Sequence, residues 1–277
     1  MRKRLACWGI IIAFVPGMLA TAAAQEPGFD AASVKQCKPD DDPGRLIFSG
    51  QHLLLTCMFL NQIISIAYGK TIAGQWSRFP SSAIEGEPAW IHDRYTIDAR
   101  TDHDAGENAV KGPMLRALLE DRFRLRVRRE TRQVAAFALT LDRHGSKLKP
   151  FDGTCTPWDT ANPEKPTAEK PLCTVTRGGR GWIRNFDFRG ITIATLVQQL
   201  NQNTGDLPVP VVDRTGIEGR FDVHLEYDGQ QNAPPDGAVT APQLPAALEE
   251  QLGLRLEKIT APWEFLVIEN LERPTAN

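Results

Sequence analysis

Apolar residues in this chain follow two periods. Tyr95, Ile97 and Ala99 alternate with polar neighbours, as do Phe221, Val223 and Leu225. Such alternation predicts half-buried strands. Ile193, Leu196, Val197 and Leu200 fall at i, i+3, i+4 and i+7, which predicts an amphipathic helix with Thr192 as its N-cap. Residues 53–68 are apolar nearly all round, so the spacing there predicts a deeply buried helix. Second helices are expected at about 110–121 and 244–252. Phe123, Leu125 and Val127 alternate with Arg124, Arg126 and Arg128 and read as a strand, with a mate at 134–141. The corresponding strands of the second half are 252–258 and 265–270. Short strands at 46–48 and 182–188 precede the first helix of each half.

These elements occur twice in the same order. Residues 115–127 align with 244–256 at an offset of 129, with Leu, Ala, Leu, Glu, Leu and Arg coinciding. Phe48, Gly50, Leu60, Asn61 and Gln62 recur as Phe188, Gly190, Leu200, Asn201 and Gln202, at an offset of 140. Residues 94–97 match 220–223, and residues 137–139 match 265–267. Four collinear matches predict an internal duplication of a βαβαββ unit. The fold class expected is α+β, with mostly antiparallel sheets and helices packed on one face. The divisions expected are a leader at 1–24, a first repeat at 25–145, a connector at 146–181 and a second repeat at 182–277. The Pro-rich connector and the polar stretch 229–242 read as surface loops.

The leader changes the charge and the compartment. Arg2, Lys3 and Arg4 precede an apolar run, and Ala22, Ala23 and Ala24 supply small residues for cleavage before Gln25. The run is too short to span a bilayer, and no later stretch is long and apolar enough. Cleavage removes three of the 32 basic side chains against 34 acidic ones, so the net charge moves from −2 to −5. That balance argues against a nucleic-acid partner. Cys37, Cys57, Cys155 and Cys173 remain, an even number that reads as two disulfides in an exported protein. Of the three pairings, the local one, Cys37–Cys57 and Cys155–Cys173, is preferred. Periplasmic or extracellular residence follows.

Chemistry is sparse. The chain has no G-x-S-x-G elbow, no H-E-x-x-H pair, no P-loop and no G-x-G-x-x-G after a strand. The five histidines are scattered, so neither a metal, nor a cofactor, nor a catalytic residue is expected. Asp102, His103 and Asp104 read as a solvated loop. The one candidate binding feature is an arginine stripe. Arg124, Arg126 and Arg128 would share a strand face and could hold a polyanion or an acidic glycan. The plainer reading pairs them with acids across the sheet.

Several segments together resemble a known family. They are 29–34 (Phe-Asp-Ala-Ala-Ser-Val), 66–69 (Ile-Ala-Tyr-Gly), 86–90 (Gly-Glu-Pro-Ala-Trp), 118–125, 212–216 (Val-Asp-Arg-Thr-Gly), 250–254 and 267–274. In this order they resemble a soil-associated family of exported bacterial proteins whose domain has no known function. A similar domain is fused to membrane metallopeptidases of the antibiotic-sensor type. The resemblance implies export and offers no catalytic residue to carry over.

Three functional classes follow. The first is a non-catalytic extracytoplasmic binding or sensing module, whose partner is a small molecule, a glycan or an envelope protein. The second is an envelope structural or assembly protein. The third is a secreted hydrolase with dispersed acids. Two like halves can form a groove between them, a common place for a ligand.

Overall fold

The computed structural model describes residues 28–38, 40–41, 44–72, 75–156, 167–173, 175–180, 183–202, 207–229 and 241–274. The leader expected at 1–24 and most of the 229–242 insertion lie outside the described residues. The first half contains β1 (Ala31–Gln36), β2 (Arg45–Ser49), β3 (His52–Phe59) and α1 (Leu60–Ala67). A small hairpin follows, β4 (Lys70–Ile72) and β5 (Gln75–Ser77), then β6 (Ile84–Glu85) and β7 (Arg94–Arg100). Helix α2 (Glu107–Ala109) continues through a π turn (Val110–Met114) into α3 (Leu115–Phe123), and β8 (Arg126–Leu141) ends the half. The second half contains β9 (Lys149–Pro150), β10 (Val175–Arg180), β11 (Ile183–Ile191), α4 (Ile193–Gln202), β12 (Val211–Asp213) and β13 (Phe221–Asp228). It closes with α5 (Leu244–Ala247), a π turn (Leu248–Leu252) and β14 (Leu254–Asn270).

The architecture is mixed and mostly antiparallel. Two outer sheets have strand orders β1-β7-β3-β2 and β9-β13-β11-β10, and every pairing in them is antiparallel. Between them lies the sheet β12-β8-β14-β6. Its centre is the long antiparallel pair β8–β14, and β12 and β6 add to its two edges in parallel.

Two element assignments are corrected. The helix expected over 53–68 exists only from Leu60; residues 52–59 form β3. β3 has neighbours on both edges, and its Leu53 and Leu55 are fully buried. Leu54, on the opposite face, is only half-buried but is leucine too, so the run 53–55 lacks the polar alternation of a strand and resembles a buried helix. The paired strands expected at the end of each half are instead single strands of 16 and 17 residues. Each runs across the molecule, so its two ends meet different surroundings and the apolar pattern breaks at mid-strand.

The N-cap expected at Thr192 is present. Its hydroxyl accepts from the Thr195 amide at 3.3 Å, and its carbonyl accepts from Leu196.

Matching positions in the two outer sheets are related by several local offsets. A bulge separates Leu55↔Ile97 from Met58↔Tyr95, and another separates Phe188↔Val223 from Ile191↔Phe221. Cys57 (φ 42°) sits in the first and Gly190 (φ 64°) in the second. These residues are 133 apart. The offset of 140 read from sequence therefore aligned Phe48 on edge strand β2 with Phe188 on inner strand β11, which hold different places. At the offset of 129, Arg124 (φ 51°) and Gly253 (φ 64°) each stand between a helical segment and a long strand.

The cores interleave. Leu266 and Ile268 of β14 pack in the first-half core with Leu53, Ile64, Tyr95 and Phe123. Leu139 of β8 packs in the second-half core with Phe186, Leu225 and Leu248. Each half therefore completes the other's interior.

Candidate ligand site

Both expected disulfides are present, Cys37–Cys57 and Cys155–Cys173. Cys37–Cys57 ties the end of β1 to the bulge in β3. At the matching place in the second half, the Phe151 amide bonds to the Arg220 carbonyl as that of Cys37 does to Arg94. There Phe151 and Gly190 lie together in place of two cysteines, and the Cys155 sulfur packs over the glycine.

The arginine stripe is dispersed. Arg124 precedes the strand, in the left-handed conformation, and its carbonyl accepts from Asn270. Arg126 is exposed at the start of β8. Arg128 is held by Glu130 at 2.7 Å and Glu269 at 3.3 Å. Further along, Arg129 pairs with Glu264, and Arg132 makes a two-pronged contact with Glu85 while also binding Glu130. Hydrogen bonds from Arg132 and Arg128 hold the Glu130 carboxyl down to about 2. This row of β8 is a charge ladder across the sheet. His103 pairs with Asp102 on the surface, where that hydrogen bond raises its pKa.

A different place gathers side chains from both halves. A cavity of about 490 Å³ opens between the α1 end and β4–β5 hairpin on one side and α4 with β12 on the other. Its floor is Pro262, Trp263 and Glu264 of β14 with Thr131 of β8, and Phe79, Pro80, Ala194, Val197 and Val211 wall it. A second cavity, about 340 Å³, shares Pro80, Asn201 and Trp263 with it, so the Trp263 indole borders both. The volume suits a small organic ligand, for which sites of roughly 300–1,000 Å³ are usual.

Local sequence explains the opening. Proline cannot donate to a ladder, so it sits where a strand edge is unpaired. Pro262 faces Gln133 on one side, while β6 joins β14 only at Leu266 and Val267. The uncovered edge at Pro262 lies under the cavity. Asn201 fixes α4 over β12, donating to the Val211 carbonyl at 2.9 Å and accepting its amide at 2.8 Å.

Polar groups in the lining divide into used and unused. Glu264 is taken by Arg129, and Asp213 accepts from the Thr215 amide and hydroxyl at 2.8 Å. Tyr68 is buried and hydrogen-bonded to Glu120; burial foremost, then the Glu120 charge, pushes its phenol up to about 12 against the opposing Arg116 and Arg129 charges. It stays neutral at physiological pH. Gln198 is 6 % exposed, and its Oε1 has no hydrogen-bond partner. A buried acceptor left unpaired costs about 1–3 kcal/mol. The Ser77 hydroxyl accepts from Gln202 at 3.2 Å, and Arg177 donates to Gln199 and Gln202, so a polar chain crosses from β5 to β10.

Sequence reading placed Val197 as a core position, Asn201 and Gln202 as repeat matches, and Tyr68 and Asp213 within family segments, but brought none of them together as a site. Their signal is the meeting of two distant segments, which no local spacing carries. A further cavity of about 570 Å³ lies by Lys147, Asp187, Asp222 and His224, where His224 pairs with Asp187 at 2.6 Å and Asp222 accepts from the Gly190 amide. Lys147 donates there to the Glu249 and Glu250 carbonyls, and Arg189 lies over the Phe151 ring.

Fold and site together define a disulfide-bridged α+β protein with two outer sheets, a shared central sheet and an apolar cavity lined by residues of both halves. Residues 61–271 match the family described as a protein of unknown function (DUF3738), and the chain belongs to that family. No curated protein matches the chain, and no solved structure does.

Proposed function

We propose that this protein is an exported, non-catalytic binding module built from two copies of one unit, with a small-molecule site in the cavity at their seam. The duplication is supported by the equal strand orders of the outer sheets, the paired bulges at Cys57 and Gly190, and the left-handed turns at Arg124 and Gly253. Export is supported by the two disulfides, which persist in oxidising compartments. Among the described residues no helix is long and apolar enough to cross a membrane.

One observation carries the binding reading. The cavity of about 490 Å³ is apolar, is walled by both units, and includes buried Gln198 with an unpaired oxygen. An apolar void with a few convergent polar groups is the usual form of a ligand site.

The test uses the chain from Gln25 and the neutral apolar dye N-phenyl-1-naphthylamine. Saturable binding of one dye is expected. Val197→Trp, which fills the cavity, and Ala194→Phe as a second filling variant abolish it while leaving circular dichroism unchanged. Non-saturable binding, or binding that survives both folded variants, overturns the reading.

A further inference from the structure

The rim of the seam cavity carries charge that the protein does not neutralise. Arg78 follows β5 and lines the cavity. Among the described residues its guanidinium has neither a hydrogen-bond nor an ion-pair partner. Arg177, on β10 of the other unit, lies close enough for its charge to act on Arg78. Its contacts in the polar chain are the neutral amides of Gln199 and Gln202, not carboxylates. Lys70 also lines the cavity. Of the two acids in the lining, Glu264 is ion-paired with Arg129, while Asp213 accepts hydrogen bonds from the neutral Thr215 through Oδ1 and makes no ion pair with Arg78 or Lys70. Arg78 therefore stands at the opening without an ion-pair partner, and the charge of Arg177 that acts on it is of like sign.

Burial lowers the pKa of both arginines, and for Arg78 the Arg177 charge adds to the effect. Both residues keep exposed surface, and both stay cationic because guanidinium does not deprotonate in proteins. Burial by itself penalises a charge of either sign; it is the like charge of Arg177 beside Arg78 that a negative group would relieve.

We infer that the cavity takes a small amphipathic anion, with its apolar body against Trp263, Phe79 and Val197 and its acidic head group on Arg78, beside Arg177. This inference rests on the proposed reading of the cavity as a ligand site. It adds the chemical class. The planar guanidinium fork matches a carboxylate or a phosphate, and a charge-assisted pair is about twice as strong as a neutral hydrogen bond. The depth of apolar wall selects for a chain or ring behind that head, which excludes inorganic phosphate and free acetate as sufficient ligands.

The experiment is calorimetric titration of the chain from Gln25 with three ten-carbon probes below their aggregation limits: decanoate, decanol and decyltrimethylammonium. Decanoate is expected to bind at least about tenfold tighter than decanol, the factor that one charge-assisted contact supplies, and the cation weakest of all. Arg78→Gln is expected to remove the advantage of decanoate and leave decanol affinity within about twofold. Arg78→Lys, which keeps the charge without the fork, is expected to restore part of it. Equal affinity of decanoate and decanol for the wild-type protein overturns the anion inference while leaving the cavity as a ligand site. Undiminished decanoate preference in Arg78→Gln also overturns it. Failure of all three probes to bind overturns the inference together with the reading beneath it.

Discussion

Gln133 lies opposite Pro262 in the β8–β14 ladder, and the two are 129 residues apart, the interval that separates Arg124 from Gly253. The ladder is therefore symmetric about that pair. Val134 faces Ala261 on one side, and Arg132 faces Trp263 on the other. Beyond them, Phe137 meets Val211 and Leu266 meets Ile84, again with partners from opposite halves. A strand crossing of this kind obliges each half to lend its last residues to the other core.

Unfolding should accordingly be a single event. Leu139 and Leu266 are fully buried in opposite cores. Leu139→Ala and Leu266→Ala should each cost about 2–5 kcal/mol, and each should shift one common transition seen by fluorescence and circular dichroism. Two separable transitions, with one variant moving only one of them, would refute the coupling.

The bulge at Gly190 allows a sharp test of the second disulfide. A Cβ at Gly190 would lie 2.5 Å from the Cys155 sulfur, and the residue holds φ 64°. The left-handed backbone alone costs an L-residue about 1–2 kcal/mol. Gly190→Ala should therefore lower stability by at least that much and displace the Cys155–Cys173 bridge. Thiol counting and a thermal melt would check it; unchanged stability would refute both the backbone strain and the close sulfur contact.

The disulfides close loops between residues 20 and 18 positions apart. Loops of that size correspond to about 3 kcal/mol each. Replacing Cys37 and Cys57 together by Ala should lower the urea midpoint, with the m-value rising as the unfolded chain expands. Non-reducing peptide mapping should recover both local bridges, and a crossed pairing would contradict the fold.

How much of this was legible in the sequence depends on how far apart the causes lie. Thr192 and the alternation of Phe221, Val223 and Leu225 are local, and both were read correctly. The cysteine pairing was readable because each pair closes a short loop. The strand at Leu53 and Leu55 was misread because the half-buried position between them, Leu54, is apolar too. The long strands were divided because one chain segment serves two cores. Arg78, Gln198 and Trp263 come from three separate segments, so no pattern in any one of them marks the cavity.

The Glu130 cluster predicts the acid limb of stability. Arg132 and Arg128 hold its carboxyl at about 2, against an ordinary value of 4.5. A depressed folded-state pKa means that the unfolded chain takes up the proton first. The contribution of Glu130 is therefore complete above about pH 4.5 and is lost as pH falls toward 2. Glu130→Gln should flatten the stability profile between those values and leave the slope from pH 6 to 8 untouched. Urea midpoints at pH 7, 4 and 2.5 would show it; an equal acid slope in both proteins would place the protonation elsewhere.

Gln198 offers the last test, because its effects on stability and binding should oppose each other. Its Oε1 is buried and unpaired beside the cavity. Methionine has nearly the same length and flexibility and carries no amide to desolvate. Gln198→Met should raise the stability of the free protein by about 1 kcal/mol, a rise of roughly 2–4 °C for a chain of this size. A ligand that donates a hydrogen bond to the amide should bind the variant more weakly, whereas decanol should bind it as well or better. A fall in melting temperature would mean that the amide is already satisfied, and the wall of the cavity would then offer no unpaired group.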